Sequence, residues 1–127
     1  MLEPKGALPQ PAQRVDNDFS RLFEGEILLE VETLNVDAAS FRQMEEASGL
    51  SATGEIAAAV AEKVKETVQN RGKQHNPVTG SGGMLLGKVV QIAPGHPNPS
   101  IAIGDRVATL VSLSLTPLRI HSIASVR

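Results

Sequence analysis

The chain has 127 residues, of which 41% are hydrophobic and 20% charged, with a formal net charge of -2. That length suits one domain with a radius of gyration of roughly 14 Å, and the composition is that of a globule rather than a disordered or fibrous chain. The absence of cysteine excludes disulfides, thiolate metal sites and a cysteine nucleophile, while the absence of a basic surplus excludes the usual electrostatic footprint for nucleic acid.

Three Phe, with no Trp and no Tyr, make the core aliphatic and leave no aromatic platform for stacking bases or sugars. No run nears the ~18 consecutive apolar residues of a membrane span, and Met1 to Gly6 lacks the apolar core of a secretory signal. A cytoplasmic chain that contacts neither membrane nor nucleic acid is expected.

Residues 1–20 hold Pro4, Pro9 and Pro11, Gly6 and the polar run Asp16 to Asp18, which disfavours both a helix and a central strand. An extended N-terminal arm is expected there. From Glu26 to Leu34, Ile27, Leu29 and Val31 alternate with Leu28, Glu30 and Glu32, the period of a half-buried strand. A short helix follows over about 38–48, started by Asp37 or by a capping box at Ser40 to Gln43, and stopped by Gly49.

Glu55 to Arg71 carries the clearest helical pattern. Ile56, Val60, Val64 and Val68 fall four apart, while Glu62, Lys63, Lys65, Glu66 and Gln69 fill the opposite, solvated face. After Gly72 the chain turns β-like: Met84 to Ala93, Ile101 to Val111 and Leu113 to Val126 are rich in Val, Ile, Leu and Thr and are separated by Pro/Gly turns. The expected class is therefore mostly β or α+β, a sandwich or partly open barrel with one long inserted helix.

Gly82 to Lys88 reads formally as a phosphate-binding G-x-x-x-x-G-K, but Val89 replaces the magnesium-holding hydroxyl and a strand rather than a helix follows. A dinucleotide G-x-G-x-x-G fails as well, because Leu85 stands at the third glycine position. No cofactor-binding residue is expected within this chain. His75, His96 and His121 are too far apart for a sequence-local metal site; His96 and His121 read as structural and Glu45-Glu46 as simply exposed. The polar cluster His75, Asn76, Thr79 and Ser81, leading into a Gly-rich loop, is the best site candidate.

The strand, the segment Asn35 to Phe41, the helix, the Gly-rich segment into Gly87 to Ile92, and finally Ile103 to Val107 together resemble the GroES-like catalytic domain of medium-chain dehydrogenases. Glu3 to Ala12, Thr33 to Phe41, Arg71 to Leu85 and Ala108 to Leu118 look more specifically like the N-terminal part of the 3,5-diaminohexanoate dehydrogenase family. The resemblance implies a GroES-like partly open β-barrel over 21–127, lacking the Rossmann domain of a complete enzyme. It also implies an NAD or NADP-dependent oxidative deamination in lysine fermentation, with hydride leaving the carbon that bears the 3-amino group.

Zinc-dependent relatives place a Cys where Asp37 stands and Gly-His-Glu where Gly80-Ser81-Gly82 stands, which argues against a catalytic zinc. Their relay hydroxyl would fall on Ala39, with Ser40 one place displaced. The resemblance thus leaves Asp37 and Ser40 as catalytic candidates, with Asp37 meeting an ammonium group or acting as a base. His75, Asn76, Thr79 and Ser81 are the candidates for binding the substrate carboxylate. The expected partners are a small diamino acid and a Rossmann domain on a separate chain, or self-association, so the isolated chain is expected to be catalytically silent. The alternative is a non-catalytic GroES-like assembly module that joins a partner through an exposed β edge.

Overall fold

A computed structural model describes residues 2–49, 53–76 and 82–127. In chain order these form β1 (Leu2–Glu3), β2 (Arg14–Val15), β3 (Ile27–Val36), α1 (Ala38–Ser48), α2 (Thr53–Arg71), β4 (Gly83–Ile92), β5 (Arg106–Ala108) and a 3-10 turn at Leu113–Leu115. Helix and strand are mixed in comparable amounts and the sheet is antiparallel, so of the two expected classes α+β holds and mostly β is corrected. It divides into two compact units: Met1–Asn17 with Val36–Gly83 and Val111–Arg127, and Asp18–Asn35 with Met84–Leu110.

The helical unit is built on α2. Val60, Val64 and Val68 are all buried, as their spacing predicts, and Met44 of α1 is buried as well. On the outer face, Lys63 pairs with Glu66 and Lys65 with Glu62, both at 3.4 Å and exposed, which adds little stability. The N-terminal residues expected as an extended arm fold back on themselves. Leu2 and Glu3 pair antiparallel with Val15 and Arg14, and Ala12 and Val15 are buried.

Helix α1 starts on Asp37, whose Oδ1 accepts the Ser40 N–H at 2.7 Å, and ends on Gly49 at φ 65°. The alternative start at Ser40 is overturned: Ser40 lies inside the helix and is buried. A carboxylate at the cap satisfies one free amide and complements the helix dipole, which a hydroxyl three residues later cannot do.

The second unit centres on the sheet, in the order β3-β4-β5. Leu86 to Lys88 of β4 pair antiparallel with Ala108 to Arg106 of β5. On the β3 side, Ala93 N–H donates to Glu26 O at 2.9 Å and Gly25 N–H to Pro94 O at 2.9 Å. Along β4, Leu85 and Val89 are buried while Lys88 and Val90 are exposed, which is the period-two pattern of a sheet covered on one face.

Two expected strands are much shorter or absent. Of Ile101 to Val111, only Arg106–Ala108 is strand, because Asp105 closes a turn: its Oδ2 accepts Ala102 N–H at 3.0 Å and its own N–H donates to Ala102 O at 3.1 Å. Leu113 to Val126 contains no strand. Ser112 Oγ accepts Ser114 N–H at 3.3 Å, Thr116 Oγ1 donates to Ser112 O at 3.0 Å, and Pro117 has no N–H for a ladder. Local hydroxyl bonds thus outcompete strand pairing in a segment whose side chains otherwise favour it.

Candidate functional site

Packing of α1 on α2, closed off by the residues that follow α2, leaves a cleft of about 230 Å³ within the helical unit. Its wall includes Ser40 and Met44 from α1, Thr67 and Arg71 from α2, and Gln74, His75 and Asn76 from the segment beyond. Helix α2 stops at Gly72 (φ 69°), and three of the four residues after it are buried instead of continuing into solvent. Lys73, Gln74 and Asn76 are consequently 0%, 2% and 2% exposed, unusual values for these residue types.

The polar lining is incompletely satisfied. Ser40 Oγ, Gln74 Oε1 and His75 Nδ1 are shielded from solvent and have no hydrogen-bond partner among the described residues. Each such atom ordinarily costs roughly 1–3 kcal/mol, so three of them on residues that line one cleft make this the least satisfied polar region among the described residues. Lys73 is satisfied differently: its Nζ donates to Pro9 O at 2.8 Å and to Gln10 O at 3.0 Å, tying the N-terminal segment down.

The pattern of the whole chain, from residue 1 to residue 127, matches the model of the L-erythro-3,5-diaminohexanoate dehydrogenase N-terminal domain. The chain belongs to this family. It is 50% identical over 128 residues to L-erythro-3,5-diaminohexanoate dehydrogenase of Acetoanaerobium sticklandii, and 48% identical over 128 residues to the protein of the same name from Fusobacterium nucleatum. Both matches cover 100% of this chain but only 36% and 35% of the relatives, so the chain spans about a third of their length.

Set on this family member, the sequence-predicted residues separate. Ser40, His75 and Asn76 meet in the cleft, although 35 residues separate the first two. Asp37 does not line it; its carboxylate caps the helix that carries Ser40. Thr79, Ser81 and the Gly-rich loop Thr79 to Gly82 fall outside the described residues, except for the buried Gly82. His96 lies in a turn, its Nδ1 accepting Asn98 N–H at 3.2 Å.

Two cleft residues escaped the sequence reading. Arg71 is there only the last residue of the helical pattern, and Gln74 carries no motif. The available signal was the unbroken polar run Arg71 to Asn76 after an amphipathic helix. The described residues also bring together no group of three or more His, Asp or Glu able to hold a metal ion, so they offer no zinc cradle.

The His75 imidazole is held below its ordinary 6.5, first by burial and then by the positive charges of Lys73 and Arg71. The fold therefore binds this proton less readily than the unfolded chain does. Its contribution to stability is complete above pH 6.5 and is lost as the pH falls through the lowered folded value. Urea midpoints of the wild type should fall across that window, and His75→Gln should flatten this part of the profile. A variant with an unchanged slope would show that His75 is as easily protonated in the fold as out of it.

Proposed function

We propose that this chain forms the substrate-side part of an NAD(P)-dependent dehydrogenase that deaminates 3,5-diaminohexanoate, as in lysine fermentation, in the cytoplasm. The observation that carries this reading is the end-to-end family match. The cleft adds a physical reason, since a wall that carries Ser40, Arg71, Gln74, His75 and Asn76 suits a small charged ligand better than an apolar one. In the same reading the strands belong to a GroES-like partly open barrel. The nicotinamide cofactor sits on a Rossmann domain outside these 127 residues, because the chain has no glycine fingerprint for a dinucleotide.

A bound nicotinamide would supply the hydride acceptor. This chain's residues bind and orient the carbon that bears the amine, and leave it open to the one water that hydrolyses the imine formed on hydride loss and releases ammonia. Asp37 serves by holding α1, and through it Ser40, in place.

The test is formation of reduced nicotinamide from 3,5-diaminohexanoate by the isolated chain and by a full-length protein containing it. Turnover is expected only in the full-length protein. Turnover by the 127 residues alone would overturn the placement of the cofactor, and none in the full-length protein with either NAD or NADP would overturn the substrate. In that protein Asp37→Ala should cost about 1 kcal/mol of stability, typical of a lost N-cap. Asp37→Ser, which restores a capping oxygen without the carboxylate, should recover both stability and turnover. Recovered stability without recovered turnover would move Asp37 into the chemistry.

A further inference from the structure

Positive charge gathers where α2 ends and meets no counter-charge. Arg71 lines the cleft, is half-buried, and takes part in no ion pair among the described residues, whereas Lys63 on the same wall is neutralised by Glu66. Two residues on, the Lys73 ammonium is fully buried, and its bonds go to the neutral carbonyls of Pro9 and Gln10. These groups are close enough to act on one another: Arg71 lowers the pKa of Lys73, and both lower that of His75. A cation taken out of water without an opposite charge is costly, and an anion held beside it offsets part of that cost. The wall suits such an anion. A planar guanidinium without a carboxylate partner is the side chain best shaped to take one from a ligand. Of the His75 ring nitrogens Nδ1 is shielded, so Nε2 is the one a ligand in the cleft can meet. A shielded N–H without an acceptor is rarer than a shielded acceptor without a donor, which puts the proton of the neutral ring on Nε2 as a donor. Lys73 is too deeply buried to touch a ligand and contributes only its field. A single fork in contact matches a carboxylate better than a phosphate.

We propose that this cleft is a carboxylate site, in which the Arg71 guanidinium takes the two oxygens of a small acid and His75 Nε2 donates beside it. Only the identity of the acid rests on the dehydrogenase reading. His75 keeps the role expected of it from the sequence, and Arg71 is added to it. An ammonium is disfavoured here because Arg71 and Lys73 both repel it, so the amino groups of a diamino acid lie on the side of the ligand turned away from residues 71–75.

The test is an NMR titration of the chain, following the Arg71 Nε–H and the His75 ring, with four probes: hexanoate, hexanamide, hexan-3-amine and inorganic phosphate. Hexanoate should bind at least about tenfold more tightly than the other three, as the loss of one charge-assisted contact implies. Saturating hexanoate should also move the His75 titration midpoint upward, because an anion beside the ring favours its protonated form. Arg71→Met should weaken hexanoate by on the order of tenfold. Lys65→Met, the same change of charge on α2 but outside the cleft, should leave its affinity unchanged. If Arg71→Met folds poorly, Arg71→Lys, which keeps the charge without the planar fork, tests the same contact and should lose part of the affinity. Hexanamide or phosphate matching hexanoate, an unmoved His75 midpoint, or equal losses from the Arg71 and Lys65 variants would overturn the proposal. Hexanoate binding as described without turnover of 3,5-diaminohexanoate in the full-length protein would instead leave this site standing and remove the dehydrogenase reading. Turnover with a KM insensitive to Arg71→Met would remove the site and leave the dehydrogenase.

Discussion

Gly72→Ala should destabilise the helical unit by about 3 kcal/mol or more, lowering its melting temperature by roughly 10 °C. Two costs combine. The backbone at φ 69° lies in the left-handed region, where a β-carbon alone costs roughly 1–2 kcal/mol. That β-carbon would also be driven into the carbonyl oxygen of Val15, a backbone atom that cannot swing aside because Val15 is itself buried and paired with Leu2. Gly6→Ala is the internal control: φ is 84°, but nothing lies within 4 Å of the added carbon, so only the dihedral cost applies.

If the two variants melt alike, the close approach of Gly72 to Val15 is not a constraint. If they differ as expected, the consequence reaches the cleft. Gly72 N–H caps Val68 O and its carbonyl accepts Leu118 N–H, both at 2.8 Å, so any shift here moves the wall formed by Gln74 and His75.

What could be read from the sequence follows from the range of the forces involved. α2 was legible because the four-residue spacing of Val60, Val64 and Val68 dictates one buried stripe whatever packs on it, with Ile56 half-buried at its start. α1 was legible at both ends, since Asp37 and Gly49 act on amides and carbonyls only a few residues away. The segment from Leu113 onward was misread because β-propensity reports side-chain shape. The hydroxyls of Ser112 and Thr116, together with Pro117, decide the backbone instead.

The candidate site was half legible for the same reason. His75 and Asn76 announced themselves as a polar cluster next to a glycine loop. That Ser40 joins them depends on α1 packing against α2, a contact between residues far apart in the chain. Nothing in the local pattern marks Gln74 as buried; Gly72 turns the chain inward, and Gln74 follows it.

Lys73 supplies the second large effect, and its direction depends on what replaces it. Its side chain is fully buried, so Lys73→Ala removes three packed methylenes as well as the two bonds to Pro9 O and Gln10 O. A loss of about 3 kcal/mol is expected, in the range of large-to-small core substitutions, together with release of the β1–β2 pairing. Lys73→Met keeps the volume. The ammonium it deletes is one the fold tolerates with difficulty, because burial first and Arg71 second hold its pKa below the ordinary 10.5.

Residues 9 and 10 are exposed, so their carbonyls can turn to water, and the methionine variant should lose only about 1 kcal/mol at neutral pH. The pH dependence separates the two terms. A lysine whose folded pKa is lowered contributes stability that is present above 10.5 and lost as the pH falls through the folded value. The wild type should therefore gain on the methionine variant as the solution is made alkaline. With no Tyr or Cys in the chain, only the other lysines and the terminal amine titrate nearby, and both proteins share them. Parallel denaturation curves at neutral and alkaline pH would show that the buried amine carries no electrostatic penalty and that Lys73 holds the N-terminal segment by packing alone.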